Sequence, residues 1–259
     1  MTAMDFTVEL FCRVDDALPN EKKHPLAELY PSEVVTLGML QALRGEGPCA
    51  FYRWVQKELG TLFPRLPERT RLGRLLVQFE PLCRQFLAQP TFFGVADSYG
   101  IELVHPWREK RTQRQVARKG LSNHRCGCPL GRIGAKLAVV TDHGGRIVSF
   151  EVAGANVHDT AFHPMIEQWK EKMIVLADKG FKAREGNPDN LKICDKGKWN
   201  ERMIIETVFS LWTVILKTKK LTHRLLAPLK ARLAYTCAVF NLCTAWNGEV
   251  KLELAPFAL

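Results

Sequence analysis

The sequence predicts an α/β fold: a mixed sheet flanked by helices in residues 89–259, preceded by an all-helical region in residues 1–88. Three observations predict it. Strand-like apolar runs stand at 92–96, 136–141, 146–152 and 173–177, all beyond Pro90. Asp142-His143-Gly144-Gly145, between the second and third runs, reads as a hairpin loop. Before Pro90 the apolar residues recur at helical spacing and no strand signal is present.

The elements follow in order. Residues 34–43 are apolar at helical spacing and follow Pro31-Ser32-Glu33, a helix start with Ser32 as candidate N-cap. Phe51, Trp54, Val55 and Leu59 mark a second helix. Pro64, Pro67 and Thr70 interrupt the pattern, and a helix over 71–87 is expected next. Its polar side carries Arg69, Arg71 and Arg74, which suits a solvated surface or a small DNA-binding module. After the hairpin a helix is expected over 160–172, with Asp159 as its candidate N-cap. The strand 173–177, a loop through Gly186-Asn187-Pro188-Asp189-Asn190, a short strand at 191–194, a helix around Glu206 and a helix over 225–246 complete the chain.

A chain of 259 residues suffices for one large domain or two ordinary ones. Its 46% hydrophobic content excludes a disordered class. A net charge of +10, from 37 Lys+Arg against 27 Asp+Glu, favours a polyanionic partner, nucleic acid or an acidic membrane surface. The first ten residues are acidic and carry no leader pattern, and no uncharged apolar stretch is long enough to cross a bilayer. The expectation is a cytoplasmic, nucleoid-associated protein whose 8 cysteines are reduced. His124, Cys126 and Cys128 lie close together, but no second Cys/His pair follows to complete a zinc site; the segment reads as a Gly/Pro turn.

Three acids stand out. Asp97 and Asp178 each end an apolar run that reads as a buried strand, and Glu206 lies in a helical segment among Met203, Ile204, Ile205, Val208 and Phe209. That apolar density predicts a Glu206 withdrawn from solvent. Three converging carboxylates require a cation between them, and Mg²⁺ or Mn²⁺ prefers such oxygen ligands. The chemistry this implies is metal-assisted phosphoryl transfer. The alternatives for the same residues are turn-initiating aspartates and a surface glutamate paired with Arg202. Glu102 reads either as a residue behind the metal ligands or as a surface residue, and Asp142 as a hairpin-turn residue. Between His105 and Lys136 lie nine cations, among them Arg108, Lys110, Arg111 and Arg114, against the single acid Glu109. That density suits contact with duplex phosphates. A second basic run, Lys217-Thr218-Lys219-Lys220 with His223 and Arg224, follows the Glu206 helix. Trp107 and Trp199 are available either for packing or for stacking on an unpaired base.

Several segments resemble a bacterial insertion-sequence transposase of the DDE class, with an RNase H-like catalytic core. They are Ala96-Asp97-Ser98, Gly134-Ala135-Lys136-Leu137, Asn156-Val157-His158-Asp159, Leu176-Ala177-Asp178-Lys179-Gly180-Phe181 and Asn200-Glu201-Arg202 with Ile205-Glu206-Thr207-Val208-Phe209. Phe51-Tyr52-Arg53-Trp54 and Leu66-Pro67-Glu68-Arg69-Thr70-Arg71-Leu72 resemble the amino-terminal part of such proteins. The resemblance implies a catalytic triad of Asp97, Asp178 and Glu206 around two Mg²⁺ or Mn²⁺ ions, with Asp97 bridging both. It implies endonucleolytic cleavage and strand transfer at the terminal inverted repeats of a transposable element, on double-stranded DNA and with a homodimer joining the two ends. A Tyr-Arg-Glu-Lys signature implies DNA contacts from Trp199 at the tyrosine position and from Arg202. Thr213 occupies the lysine position, and Lys217 is the nearest lysine. On an unbroken helix all four side chains would fall within about 40° of Glu206. Two other readings stay open: an RNase H-fold nuclease without strand transfer, and an inactive, transposase-derived DNA-binding protein.

Overall fold

A computed structural model describes residues 2–19, 23–103, 134–194, 202–221, 223 and 225–248, with Arg202 and Lys220 described by backbone alone. Its elements are α1 (Ala3–Ala17), α2 (Pro31–Arg44), α3 (Pro48–Glu58), α4 (Arg69–Gln78), β1 (Phe93–Glu102), β2 (Gly134–Asp142), β3 (Ile147–Gly154), α5 (His163–Glu167), β4 (Ile174–Ala177), β5 (Leu191–Ile193), α6 (Arg202–Val214) and α7 (Leu226–Asn247). The chain divides into two compact units, 1–86 with 227–259, and 87–226.

The helical unit is built around α2, of which all but Glu33 and Arg44 are buried. A helix apolar on every side must be surrounded by other helices. Gly38 marks one such contact. A Cβ there would lie 2.5 Å from the ring of Tyr235 on α7, so only a glycine lets that ring lie against α2. The Tyr235 hydroxyl then donates to the carbonyl of Leu76 at 3.0 Å, tying α7 to α4. Arg232 donates to the carbonyl of Ala42 at 3.2 Å, near the C-terminus of α2 where a cation opposes the helix dipole. Burial alone pulls that guanidinium down to about 9. At the other end of α7, Trp246 stacks on Phe6 and lies under Arg13.

The last helix thus packs with the N-terminal helices, whereas the sequence reading placed residues 225–246 in the 89–259 segment. The reason is physical: Leu229, Cys237, Ala238 and Val239 lie on different sides of α7 and are fully buried, so the helix needs neighbours all round. Local boundaries also differ from expectation. Tyr30, not Ser32, is the N-cap of α2; Pro31 takes the first helical position and the Glu33 carboxylate accepts from the Tyr30 amide at 2.6 Å. The helix expected over 71–87 ends at Gln78, and Glu80–Phe86 continues as a 3₁₀ segment, because Pro81 cannot supply an α-helical amide.

The second unit is a five-stranded mixed sheet in the order β3-β2-β1-β4-β5. β1 pairs antiparallel with β2 and β2 with β3, while β4 lies parallel to β1 and β5 parallel to β4. This order and polarity are those of an RNase H-like fold. Asp142 holds the hairpin as expected: its Oδ1 accepts from the amides of Gly144 and Arg146, and its Oδ2 from Arg146 Nε. One face of the sheet buries Ala96, Ala138, Val140, Val148 and Ala177 against Phe162, Met165, Ile166 and Phe181. The helix expected over 160–172 is shorter than its pattern implied: a 3₁₀ turn Asp159–Phe162 precedes the five-residue α5. β1 is longer than the apolar run 92–96, because its polar half pairs with β2 as far as Glu102. Among the described residues no helix is long and apolar enough to cross a membrane.

Gly38→Ala is expected to lower stability by about 1–3 kcal/mol, the usual cost of overpacking, and chemical denaturation checks this. Thiol labelling tests the placement of α7. Burial raises Cys83 and Cys237 well above the usual thiol range and pushes Cys243 up to about 12, whereas Cys12 and Cys49 are exposed. Peptide mapping of the native protein is expected to show Cys12 and Cys49 modified and the other three protected until unfolding.

Candidate active site

The sheet positions the first two acids. β1 and β4 run parallel in register, Phe93 with Ile174 through Ala96 with Ala177, and there the pairing stops. The next residue on each strand is an aspartate: Asp97 and Asp178. Strands so paired lie about 4.8 Å apart, and paired positions share a face. The backbone of Asp178 remains extended past the end of β4 (φ −80°, ψ 178°). The two carboxylates therefore start from adjacent positions at one end of the sheet. Both are half-buried. Asp97 Oδ1 accepts from the Ser98 amide at 2.7 Å, and Asp178 Oδ1 accepts from the Gly180 amide at 2.8 Å, capping the 3₁₀ turn Lys179–Phe181. Asp97 is not a strand terminus, as the apolar run suggested, but the residue of the central strand at which the β4 pairing ends.

Glu206 comes from α6. Ile205, Val208, Phe209 and Trp212 form the buried stripe of that helix, and Phe209 lies 5.0 Å from the ring of Tyr99. Tyr99 is two residues beyond Asp97 on β1, hence on the same face. Glu206 is exposed, contrary to the expectation drawn from its apolar neighbours. A helix buries a stripe and not a segment. Glu206 stands about 100° round from Ile205, and Met203 is itself 64% exposed. Among the described residues no group of three or more His, Cys, Asp or Glu side chains is placed to hold a metal ion. The sheet sets two acids side by side; the third is carried on the helix that packs against the same strand.

The signature positions are placed as follows. Thr213 is bound into a hydroxyl network. It donates to the carbonyl of Phe209 at 2.8 Å, so its single proton is used and the Tyr99 hydroxyl, 2.6 Å away, must donate to it. Thr218 Oγ1, 3.1 Å from the same tyrosine oxygen, is left as donor to it. Lys217 does not continue the stripe of Glu206, because α6 ends at Val214 and Lys217 has a left-handed backbone (φ 51°). Lys219 carries its Nζ 5.8 Å from the Tyr99 ring centroid. Trp199, Trp107, Arg108, Lys110, Arg111, Arg114 and the His124/Cys126/Cys128 group lie outside the described residues, as does the side chain of Arg202.

One cluster escaped the sequence reading. Lys136 is the lone charged side chain in the fully buried first part of β2, and it pairs with Asp159 at 3.0 Å. Asp159 is therefore not the helix cap it was expected to be. His158 takes that place, its ring accepting from the Thr160 amide. The available signal was the lysine in Gly134-Ala135-Lys136-Leu137, since a buried strand holds an ammonium only with a partner.

The chain matches no protein-family model and no curated protein. Among solved structures it is similar to a pre-cleavage Mos1 transpososome, at 14% identity over 89% of this chain and 82% of that chain, with a TM-score of 0.25. A superposition that loose carries no argument about this chain.

Thr213→Val is expected to cost about 1 kcal/mol, since the Tyr99 hydroxyl loses its acceptor while Thr218 remains beside it. Denaturant unfolding of Thr213→Val and Tyr99→Phe, singly and together, measures the coupling; additive losses would contradict the network.

Proposed function

We propose that the protein is a DNA strand-cleaving and strand-transferring enzyme of the insertion-sequence DDE transposase type, acting at the terminal inverted repeats of its element. The observation that carries the reading is the pair of aspartates that follow Ala96 and Ala177 on adjacent parallel strands of an RNase H-like sheet. Two hard oxygen donors side by side fit a divalent cation such as Mg²⁺ or Mn²⁺. Asp97 and Asp178 would hold it, and Glu206, on the helix against the same strand, would complete the set for a second ion. The bound cation supplies Lewis-acid stabilisation to the oxygens around phosphorus.

The chain's own part is placement. Asp97 sits on the central strand of the sheet, which is paired on both sides, so its position is fixed before DNA arrives. Asp178 is held by the amide of Gly180. Net charge +10 favours a polyanionic substrate. Exposed Lys217 and Lys219, following α6, together with Arg108, Lys110, Arg111 and Arg114 of the basic segment, are the phosphate contacts of this reading; Lys136, the last cation of that segment, is buried against Asp159 and takes no part. In the helical unit Arg69, Arg71 and Arg74 are exposed on α4, which suits recognition of the repeat. Two element ends have to be joined, and a homodimer in the DNA complex follows from that need. The sequence resemblance supports the same assignment.

A second reading has an observation of its own. Glu206 is exposed and the three acids form no metal-holding group among the described residues. That suits a transposase-derived DNA-binding protein without catalysis.

Nicking of a duplex ending in the element's own flanking repeats separates the two. Metal stabilisation is worth several kcal/mol, so Asp97→Asn is expected to lower Mg²⁺-dependent nicking by about 10³-fold. Binding without nicking by the wild-type protein supports the second reading. Nicking without joining to a target duplex marks a simple nuclease.

A further inference from the structure

We infer that the buried Lys136–Asp159 pair is a positioning device for Asp178, acting through the α-carbon of Gly180; this rests on the proposed role of Asp178 in holding a cation. Lys136 and Asp159 lie 3.0 Å apart, with only 8% and 19% of their side chains exposed. Lys136 belongs to the sheet face that buries Ala138 and Val140, the face opposite Asp97. Asp159 uses Oδ1 for the lysine. Its other oxygen, Oδ2, lies 2.7 Å from the point where a Cβ on Gly180 would stand, and Asp178 Oδ1 lies 2.9 Å from that same point. Both carboxylates therefore close on Gly180, and any side chain at 180 would push at least one of them away.

The consequence follows from charge and stiffness. Two carboxylates so near each other repel, and left alone the Asp178 turn would relax outward. The ammonium of Lys136 holds Asp159 in place on one side, and the Gly180 amide holds Asp178 on the other at 2.8 Å. Lys136 sits opposite Gly100 on β1, so the anchor belongs to the strand that neighbours Asp97. The turn after β4 is thereby referenced to the central sheet, and the Asp97–Asp178 separation is set by β2 as well as by the β1–β4 pairing. Asp159 acts on the cation site through Asp178 and the turn, and is not itself a ligand in this assignment.

The test uses the full-length protein, Asp159→Asn, and Lys136→Met/Asp159→Asn, which leaves no charge buried alone should the single variant fold poorly. Three quantities are read: Mn²⁺ affinity by electron paramagnetic resonance, hydrogen exchange across 178–181 by mass spectrometry, and nicking against Mn²⁺ concentration. The expected result is a Kd for Mn²⁺ raised about tenfold, faster exchange in the turn with β1 unchanged, and nicking that recovers as Mn²⁺ is raised. A folding defect would not recover in that way. Unchanged Mn²⁺ affinity in both variants overturns the inference, whether or not the turn loosens. A weaker affinity with unchanged exchange also overturns it, because the effect would not pass through the turn. In both cases wild-type binding remains sensitive to Asp97→Asn and the proposed function stands. A wild-type protein that neither binds Mn²⁺ nor nicks overturns the function, and the inference with it.

Discussion

The parallel pairing of β1 with β4 is the constraint on which the catalytic reading depends. Side chains alternate along a strand, so a slip of one residue would turn Asp178 to the opposite face from Asp97. What resists the slip is the packing of small residues. Ala96 and Ala177 are paired and fully buried beneath Phe162 and Phe181. Larger side chains there would push the covering 3₁₀ segments away. Gly94 adds a second restraint: a Cβ on it would meet the Thr141 carbonyl at 2.5 Å and Met173 Sδ at 2.6 Å. The register is thus held by close packing on the face away from the acids, which leaves the other face free to carry them.

The same sheet end joins two electrostatic problems. Acids brought together must be compensated, and the compensation must not occupy the site. Here the cation that faces Asp159 lies on the opposite side of the sheet, in a strand buried along its whole length. A buried ion pair is poor evidence for stability in general, because desolvation offsets much of the attraction. Its value is geometric: breaking it would strand a charge, so the pair tolerates few alternative arrangements.

Much of this was legible in the sequence. Apolar runs gave β2, β3 and β4 within a few residues and β1 in its first half, the short run 191–194 gave β5, and Asp142-His143-Gly144-Gly145 gave the hairpin, because burial and turn chemistry act locally. The fold class followed from their order. What sequence periodicity could not give was anything decided by a distant partner. The polar half of β1 is a strand only because β2 pairs with it. The last helix joins the N-terminal unit because Gly38 admits Tyr235. Asp159 leaves its capping place because Lys136, far away in the chain, needs an anion. Glu206 was misread for a different reason. Apolar neighbours in sequence are spread around a helix, and only one stripe of them is buried.

Thr213 shows how one hydroxyl can join the helix that carries Glu206 to the central strand. A lysine at 213 would lack the hydroxyl that now meets that of Tyr99 at 2.6 Å and would carry its ammonium past that point. Thr213 is instead part of the join between α6 and the central strand, and Tyr99, 7% exposed, satisfies its hydroxyl there. With the helix ending at Val214, basic charge moves into the segment beyond it, where Lys217 turns the chain and Lys219 lies over the Tyr99 ring. Tyr99 thereby links three things: the strand that carries Asp97, the helix that carries Glu206, and Lys219. The position of Glu206 relative to Asp97 depends on how α6 rests on that tyrosine, so the hydroxyl network around Tyr99 bears on the placement of the acids.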